Sequence, residues 1–224
     1  MKTVVVSIGG SVVLADEADA LFLKKLTTLF KRISKDYKLF VIVGGGKIAR
    51  RYIHLGRTLG FDEDTLDLIG IDVTRVNARI ITNLLGCSNK EIPHSTNDAL
   101  KLNVPIVVMG GTDPKHSTDL VGAELAEKTH AVRFVNATNV DGIYDKDPNK
   151  YKDAKQLKEV SIDQLIAKYG TKWGSAGKNI FMDEPALEII QRAKISTFIV
   201  NGKRLDQLEK ALTGQPFDGT MILV

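Results

Sequence analysis

The sequence predicts an α/β fold, a three-layer α/β/α sandwich around a central, mainly parallel sheet. Three observations predict it. Strand-like runs alternate along the chain with helical patterns. The runs are apolar throughout rather than at every second position, the pattern of strands covered on both faces. Three of them end in paired glycines, as GGS, GGG and GGT. Turns of that kind lead from a parallel strand into a crossover helix.

The elements follow in order. TVVVSI ends in Gly9-Gly10-Ser11, and a helix is predicted from about Asp19 to Asp36, with Leu21, Leu26, Leu29, Phe30 and Ile33 near a 3–4 period. LFVIV ends in Gly44-Gly45-Gly46. A helix from about Lys47 to Leu59 and a longer one from about Asp62 to Leu85 follow. VPIVVM ends in Gly110-Gly111-Thr112, before a helix from about Ser117 to Thr129. AVRFVNAT ends in Asn139-Val140-Asp141-Gly142. The remainder reads as helix Ile162 to Tyr169, loop Gly170 to Asn179, helix Glu184 to Lys194, strand STFIV, a short helix and the strand TMILV. Residues 1–224 are taken as one domain, with a composition shift near residue 130 that hints at lobes 1–130 and 131–224.

Composition narrows the function classes. Hydrophobic residues are 43% and charged residues 26% of the 224 positions, ordinary values for a globular chain with a substantial core. A net charge of +4 with both signs interspersed is too mild to argue for nucleic acid, though it suits a small anionic ligand. The lone Cys87 forms no internal disulfide, and a reducing, cytoplasmic setting is expected. No signal-peptide pattern and no apolar run of the ~18 residues a membrane span needs are visible. His54, His94, His116 and His130 are scattered and Cys87 has no second cysteine, so metal-ligand spacing is missing.

The glycine ends carry the functional reading. In an open α/β sheet the ligand site lies outside the carboxyl ends of the strands. Glycine there lets backbone N–H groups approach an anion, and the helix that follows aims its positive dipole end at the same place. Gly44 to Gly46 thus read as a phosphate seat, with Lys47 and Arg50 adding charge. One such turn alone could equally be a tight strand-to-helix connection; three in one chain favour the ligand reading. GGGKIAR is neither the G-x-x-x-x-G-K-[ST] phosphate loop nor the G-x-G-x-x-G dinucleotide fingerprint.

With these turns in place, ATNVDGIYDKDP, residues 137–148, resembles the nucleotide-binding segment of the amino acid kinase superfamily. Within it, SIGGS, GGGKIARRYI, DLIGIDVTRVNA, GGTDPKHSTD and SAGKNIFMD resemble the uridylate kinases of the archaeal type, over nearly the whole chain and in the right order. The stretch Asp67 to Ala78 is the most specific piece, and it separates this branch from acetylglutamate, aspartate and carbamate kinases. The isopentenyl phosphate kinase branch carries a glycine–histidine pair after its glycine turn, which GGGKIAR lacks.

The resemblance implies phosphoryl transfer from ATP to UMP, with Mg²⁺, by a hexamer built as a trimer of dimers with the first helix pair at the dimer interface. It places Gly9, Gly10 and Ser11 beside the transferred phosphate, Gly46 and Arg50 at the ATP phosphates, and Thr138, Asn139, Tyr144 and Asp147 around the ATP adenosine. Gly45 would meet UMP and Asp67 its ribose hydroxyls. Thr112, Asp113, Pro114, Lys115, His116, Ser117 and Thr118 would wrap its base and phosphate. Asp119 matches the organising aspartate of the superfamily, and Asp183 an acidic position of the kinase branch. Residue chemistry is compatible: a carboxylate accepts from a ribose diol, and a tyrosine stacks on a purine. Asp67 could also be a solvated helix residue, Tyr144 a core tyrosine, and Ser117 and Thr118 helix caps.

Three departures stand out. The superfamily's Lys-x-Gly-Gly is here Ser7-Ile8-Gly9-Gly10, and a later lysine falls at Met182; Glu184 also replaces a proline. Catalytic charge is therefore assigned first to Lys47, then Arg50, then Lys178. The missing lysines also leave room for a non-catalytic nucleotide or oxyanion binder, and uracil recognition resting largely on backbone groups of residues 112–118 leaves room for a kinase acting on CMP or another small phosphate monoester.

Overall fold

The computed structural model describes residues 1–13, 20–146, 148, 150–169 and 182–224. Seven strands of these residues form one sheet: β1 (Lys2–Ile8), β2 (Tyr37–Val43), β3 (Ile106–Met109), β4 (Arg133–Thr138), β5 (Glu159–Ser161), β6 (Thr197–Asn201) and β7 (Thr220–Leu223). Their spatial order is β3-β2-β1-β4-β6-β7-β5. All pairings are parallel except β6 with β7. The helices are α1 (Gly10–Val13), α2 (Ala20–Ile33), α3 (Gly46–Thr58), α4 (Glu63–Leu85), α5 (Thr96–Leu100), α6 (Thr118–Lys128), α7 (Ile162–Tyr169), α8 (Glu184–Ala193) and α9 (Leu205–Thr213).

Strand alternation divides the core into two layers. Val4, Val6 and Ile8 of β1 face a cluster with Leu26, Leu29, Phe30 and Ile33 of α2, Ala78, Ile81 and Leu85 of α4, and Leu208 of α9. Val5 faces the other side, with Phe134 of β4, Leu125 of α6 and Leu187 and Ile190 of α8. Each fully buried Leu or Phe contributes about 1.5–3 kcal/mol. Leu21, expected on the core face of α2, is exposed, and Leu23 takes the buried place. Met182, where a lysine had been sought, is fully buried in the second cluster and supplies no charge. Helix α4 is delimited by Asp62, whose side chain accepts from Thr65 N at 2.8 Å, and by Gly86 in the left-handed conformation. No helix of the described residues is long and apolar enough to cross a membrane.

The sequence reading missed α1, α5 and β5. Strand β5 has three residues and is held by its pairing to β7. The loop expected at Gly170 to Asn179 lies outside the described residues.

The strand order reverses at β1. The chain runs outward through β2 and β3, then returns to place β4 on the other side of β1. The crevice at that switch point lies at the carboxyl ends of β1 and β4. There the first two glycine turns touch, backbone to backbone. A Cβ on Gly10 would stand 2.1 Å from Gly46 N and 2.5 Å from Gly44 O. Gly46 has φ +67°, and its Cβ would meet Gly10 C at 2.6 Å. The glycines are thus required by each other.

Gly10→Ala should lower the unfolding free energy by at least about 3 kcal/mol, because neither backbone can give way. Gly86→Ala, whose Cβ would enter open space, should cost only the left-handed backbone, roughly 1–2 kcal/mol. Urea unfolding of the two variants checks that order. Wild-type stability in Gly10→Ala would contradict the close approach.

Candidate active site

Helix α4 builds the acceptor side of the cleft with the motif that carried the resemblance. Asn77 Nδ2 donates to the carbonyl of Gly44 at 2.8 Å and of Gly45 at 3.4 Å. Thr74 Oγ1 accepts from Gly111 N at 2.7 Å, and Arg75 Nη2 donates to the Thr112 carbonyl at 3.1 Å. Asp67 Oδ2 accepts from Lys115 N at 2.8 Å. One helix therefore pins the second and third glycine turns together. The N–H groups of the first turn of α3, which starts at Gly46 and carries no acidic residue, face the same carboxyl edge.

These contacts enclose a cavity of about 190 Å³ lined by Gly45, Gly46, Arg50, Asp67, Gly70, Thr74, Gly111, Asp113, His116, Ser117 and Thr118, with Ala49, Ile53 and Ile71 as its apolar wall. The residues predicted for UMP are thus largely brought together, and Arg50, assigned to the ATP phosphates, joins them. Thr112, Pro114 and Lys115 do not line the cavity. Thr112 is buried, with Oγ1 lacking a hydrogen-bond partner among the described residues. Lys115 turns its side chain to Asp64 at 3.1 Å and its backbone, at φ +65°, to Asp67. His116 Nδ1 lies 3.9 Å from Glu124 Oε1.

Asp119 sits above the switch point. Ser7 Oγ donates to its Oδ1 at 2.7 Å, and the Asn136 side chain also hydrogen-bonds it. Ser7 and Asn136 are register partners on β1 and β4, both buried. Ser117, not Asp119, is the cap of α6, accepting from Asp119 N and Leu120 N at 3.1 Å. Asp119 is free to face the strands because the cap position is already taken. Burial is the largest influence on its carboxyl and raises the pKa to about 6, against the lowering pull of Ser7 and Asn136. The serine that replaces the superfamily lysine is therefore the support of the aspartate. Asn136 was missed, although a polar residue inside the apolar strand RFVNAT was its signal.

The other assigned residues lie along the carboxyl edge. Gly9 N donates to Ala137 O at 3.0 Å, joining the first glycine turn to β4, and half-buried Ser11 follows on α1. Lys47 is exposed on the first turn of α3. Thr138 Oγ1 closes a turn on Val140, and Asn139 beside it is exposed. Tyr144 is half-buried and bridges to Gln156; burial, then Asp141 and Asp218, raise the pKa of its hydroxyl. Asp141 and Asn201, also missed, tie β4 to β6 through a 3.0 Å bond. Asp183 is the N-cap residue of α8, and no side-chain cap bond forms there. Asp147 and Lys178 lie outside the described residues. A larger hollow of about 690 Å³ on the outer face of α4 is lined by Val76, Ile80, Leu84 and Ile92 with Arg75, Arg79 and His94. It contains no strand-end glycine and lies away from the carboxyl edge.

The model of the amino acid kinase family matches residues 2–201. A uridylate kinase of Methanobrevibacter smithii is 43% identical over 223 residues, covering 98% of both chains. One of Methanocaldococcus jannaschii is 44% identical over 204 residues, 89% of this chain and 90% of that one. The solved uridylate kinase of Archaeoglobus fulgidus superposes with a TM-score of 0.87 at 38% identity, covering 99% of this chain and all of that one. Isopentenyl phosphate kinase, at 16% identity and a TM-score of 0.70 over 98% of this chain and all of that one, shares the fold.

The raised pKa of Asp119 has a definite sign. An acid whose pKa is higher folded than unfolded costs stability once ionised, so the penalty grows as pH rises from about 4 through about 6. Asp119→Asn should therefore stabilise the ligand-free protein at pH 7–8, by about 1–3 kcal/mol after allowance for its partial exposure. The gain should vanish near pH 4. Turnover should fall by about 10² or more, the loss expected when a preorganised charge is removed from an active site. Thermal midpoints across pH, read beside kcat, check both. A less stable variant with near-wild-type turnover would leave Asp119 as a structural residue.

Proposed function

The chain belongs to the amino acid kinase family, and on that premise we propose that it transfers the γ-phosphoryl group of ATP to UMP, giving ADP and UDP. The observation that carries this reading is the cavity that joins Gly45, Arg50, Asp67, Asp113, His116, Ser117 and Thr118 at the carboxyl edge of the sheet. The full-length relatives named uridylate kinases support it. The non-catalytic alternative drew on the missing lysines, and these relatives do not favour it.

The roles follow from charge and position. UMP occupies the cavity, with its ribose hydroxyls toward Asp67 and its phosphate toward the α3 N-terminus. The adenosine of ATP lies along Thr138, Asn139, Tyr144 and Asp147, its phosphates over Gly9, Gly10 and Ser11. Phosphoryl transfer needs alignment and neutralised charge more than covalent chemistry. Backbone N–H groups, the α3 dipole, Lys47 and Arg50 supply the neutralisation, and Asp119 orients them. Asp183 completes the donor side. Mg²⁺ fits as an ion carried on ATP phosphate oxygens and water. Among the described residues no cluster of three or more His, Cys, Asp or Glu could hold one. Residues up to 130 form the acceptor lobe and the remainder the donor lobe.

We also propose a homo-oligomer, assembled as a trimer of dimers. Its support is an exposed apolar stripe at helical spacing, Ile48, Tyr52 and Leu55 on α3 with Leu59 at its C-cap, beside Leu68, Val76, Ile80 and Leu84 on α4. The proposed compartment is the cytoplasm, where the exposed Cys87 stays reduced.

An ADP-release assay with UMP, CMP and isopentenyl phosphate tests the function. UMP should give the highest kcat/KM. No ADP release with any acceptor would indicate a binder, and a preference for another acceptor would replace the substrate. In the same assay Lys47→Ala should lose about 10²–10³ in kcat with little change in UMP affinity. A loss below about fivefold would move that role to Arg50.

A further inference from the structure

The loop from Gly110 to Ser117 reaches the cavity from a buried start, and α4 pins its backbone at three points. Thr74 holds Gly111 N, Arg75 holds the Thr112 carbonyl and Asp67 holds Lys115 N. The three bonds differ. Thr74 Oγ1 is spent within the buried helix face, since it also donates to Ile71 O. Asp67 lines the cavity and is the group a ribose would compete for. Arg75 holds the loop's backbone from outside the cavity, at the residue where the chain passes from core to cavity wall, whereas Asp64 meets only the Lys115 side chain. Thr112 is 7% exposed, and Asp113 after it lines the cavity.

The arginine is a costly choice for this place. Its side chain is 22% exposed, Nη1 makes only a 3.8 Å contact with Asp72, and Nε is buried with no hydrogen-bond partner among the described residues. A buried donor left unmade is unfavourable. An apolar residue would pack there without that penalty but would leave the Thr112 carbonyl unheld. The Gly110 turn adds to the constraint, because a Cβ there would stand 2.8 Å from Arg75 N.

We propose that Arg75 is a positioning residue that sets the choice of acceptor base by fixing the Thr112 carbonyl and, through it, the backbone of residues 113–118. This rests on the reading of the chain as a UMP kinase. Uracil presents an N–H donor and a carbonyl acceptor where cytosine presents a ring-nitrogen acceptor and an amino donor. Backbone groups distinguish the two only when they are held still, since a loop free to shift can offer either N–H or C=O. Arg75 is not among the residues that line the cavity, so its loss should act on acceptor binding and leave the transfer step intact.

Arg75→Leu and Arg75→Lys test this beside the wild type, with kcat and KM measured for UMP, CMP and ATP. In Arg75→Leu the KM for UMP should rise about tenfold or more, and the UMP-over-CMP ratio of kcat/KM should fall at least about fivefold. The kcat and the KM for ATP should stay within about threefold. Arg75→Lys, which keeps a cation able to reach the carbonyl, should recover part of the selectivity. An unchanged UMP KM in Arg75→Leu would overturn the proposal. So would a fall in kcat together with raised KM values for UMP and ATP alike and a lowered thermal midpoint in both variants, the mark of a structural role. Wild type that fails to turn over UMP would overturn the functional reading as well, whereas an active wild type with unaltered variants overturns only the role of Arg75.

Discussion

The approach of Gly10 to Gly46 sets the geometry on which the rest of the site depends. Two strand ends meet so closely that no side chain fits between them. That contact starts α1 and α3 at a common edge and gathers the N–H groups of two turns around one point. The third turn is brought in by α4, whose Thr74, Arg75 and Asn77 bond to backbone in both neighbouring turns. A cleft built from backbone suits phosphate chemistry, because fixed amide dipoles need no rearrangement as charge moves.

Into this floor the fold places one carboxylate, at the point where the strand order reverses. Ser7 and Asn136 reach it from adjacent parallel strands, and Ser117 caps α6 so that Asp119 need not. The arrangement is unfavourable in the empty protein, since burial holds the carboxyl partly toward its neutral form. Cations and a nucleotide arriving at the cleft would reverse that balance. Stability is thus given up at the place where charge must be organised, as in other preorganised sites.

Much of the fold was legible because the strands are apolar throughout and end in glycine, and because Asp62, Ser117 and Gly86 mark helix ends. What escaped was short or non-local. Glu159–Ser161 becomes a strand only by pairing with β7, and α5 is a single capped turn. The antiparallel pairing of β7 with β6 has no local signal. In the site, the residue types of the Asp67 to Ala78 motif could be read, but their partners could not. Asn77 reaches a glycine 33 positions away, Arg75 a carbonyl 37 away, and Ser7 an aspartate 112 away. The lysine missing at position 7 looked like a loss of function, whereas the serine there is the aspartate's support.

The central claim is that the acceptor nucleotide binds at the strand-end glycines against α4, not in the larger apolar hollow on the outer face of that helix. Hydrogen–deuterium exchange of the intact protein with and without UMP tests it directly. Backbone amides of residues 44–50 and 110–118 should gain protection, while those around Val76, Ile80 and Leu84 change little. Protection confined to the outer face of α4, with both glycine turns exchanging as before, would contradict the account.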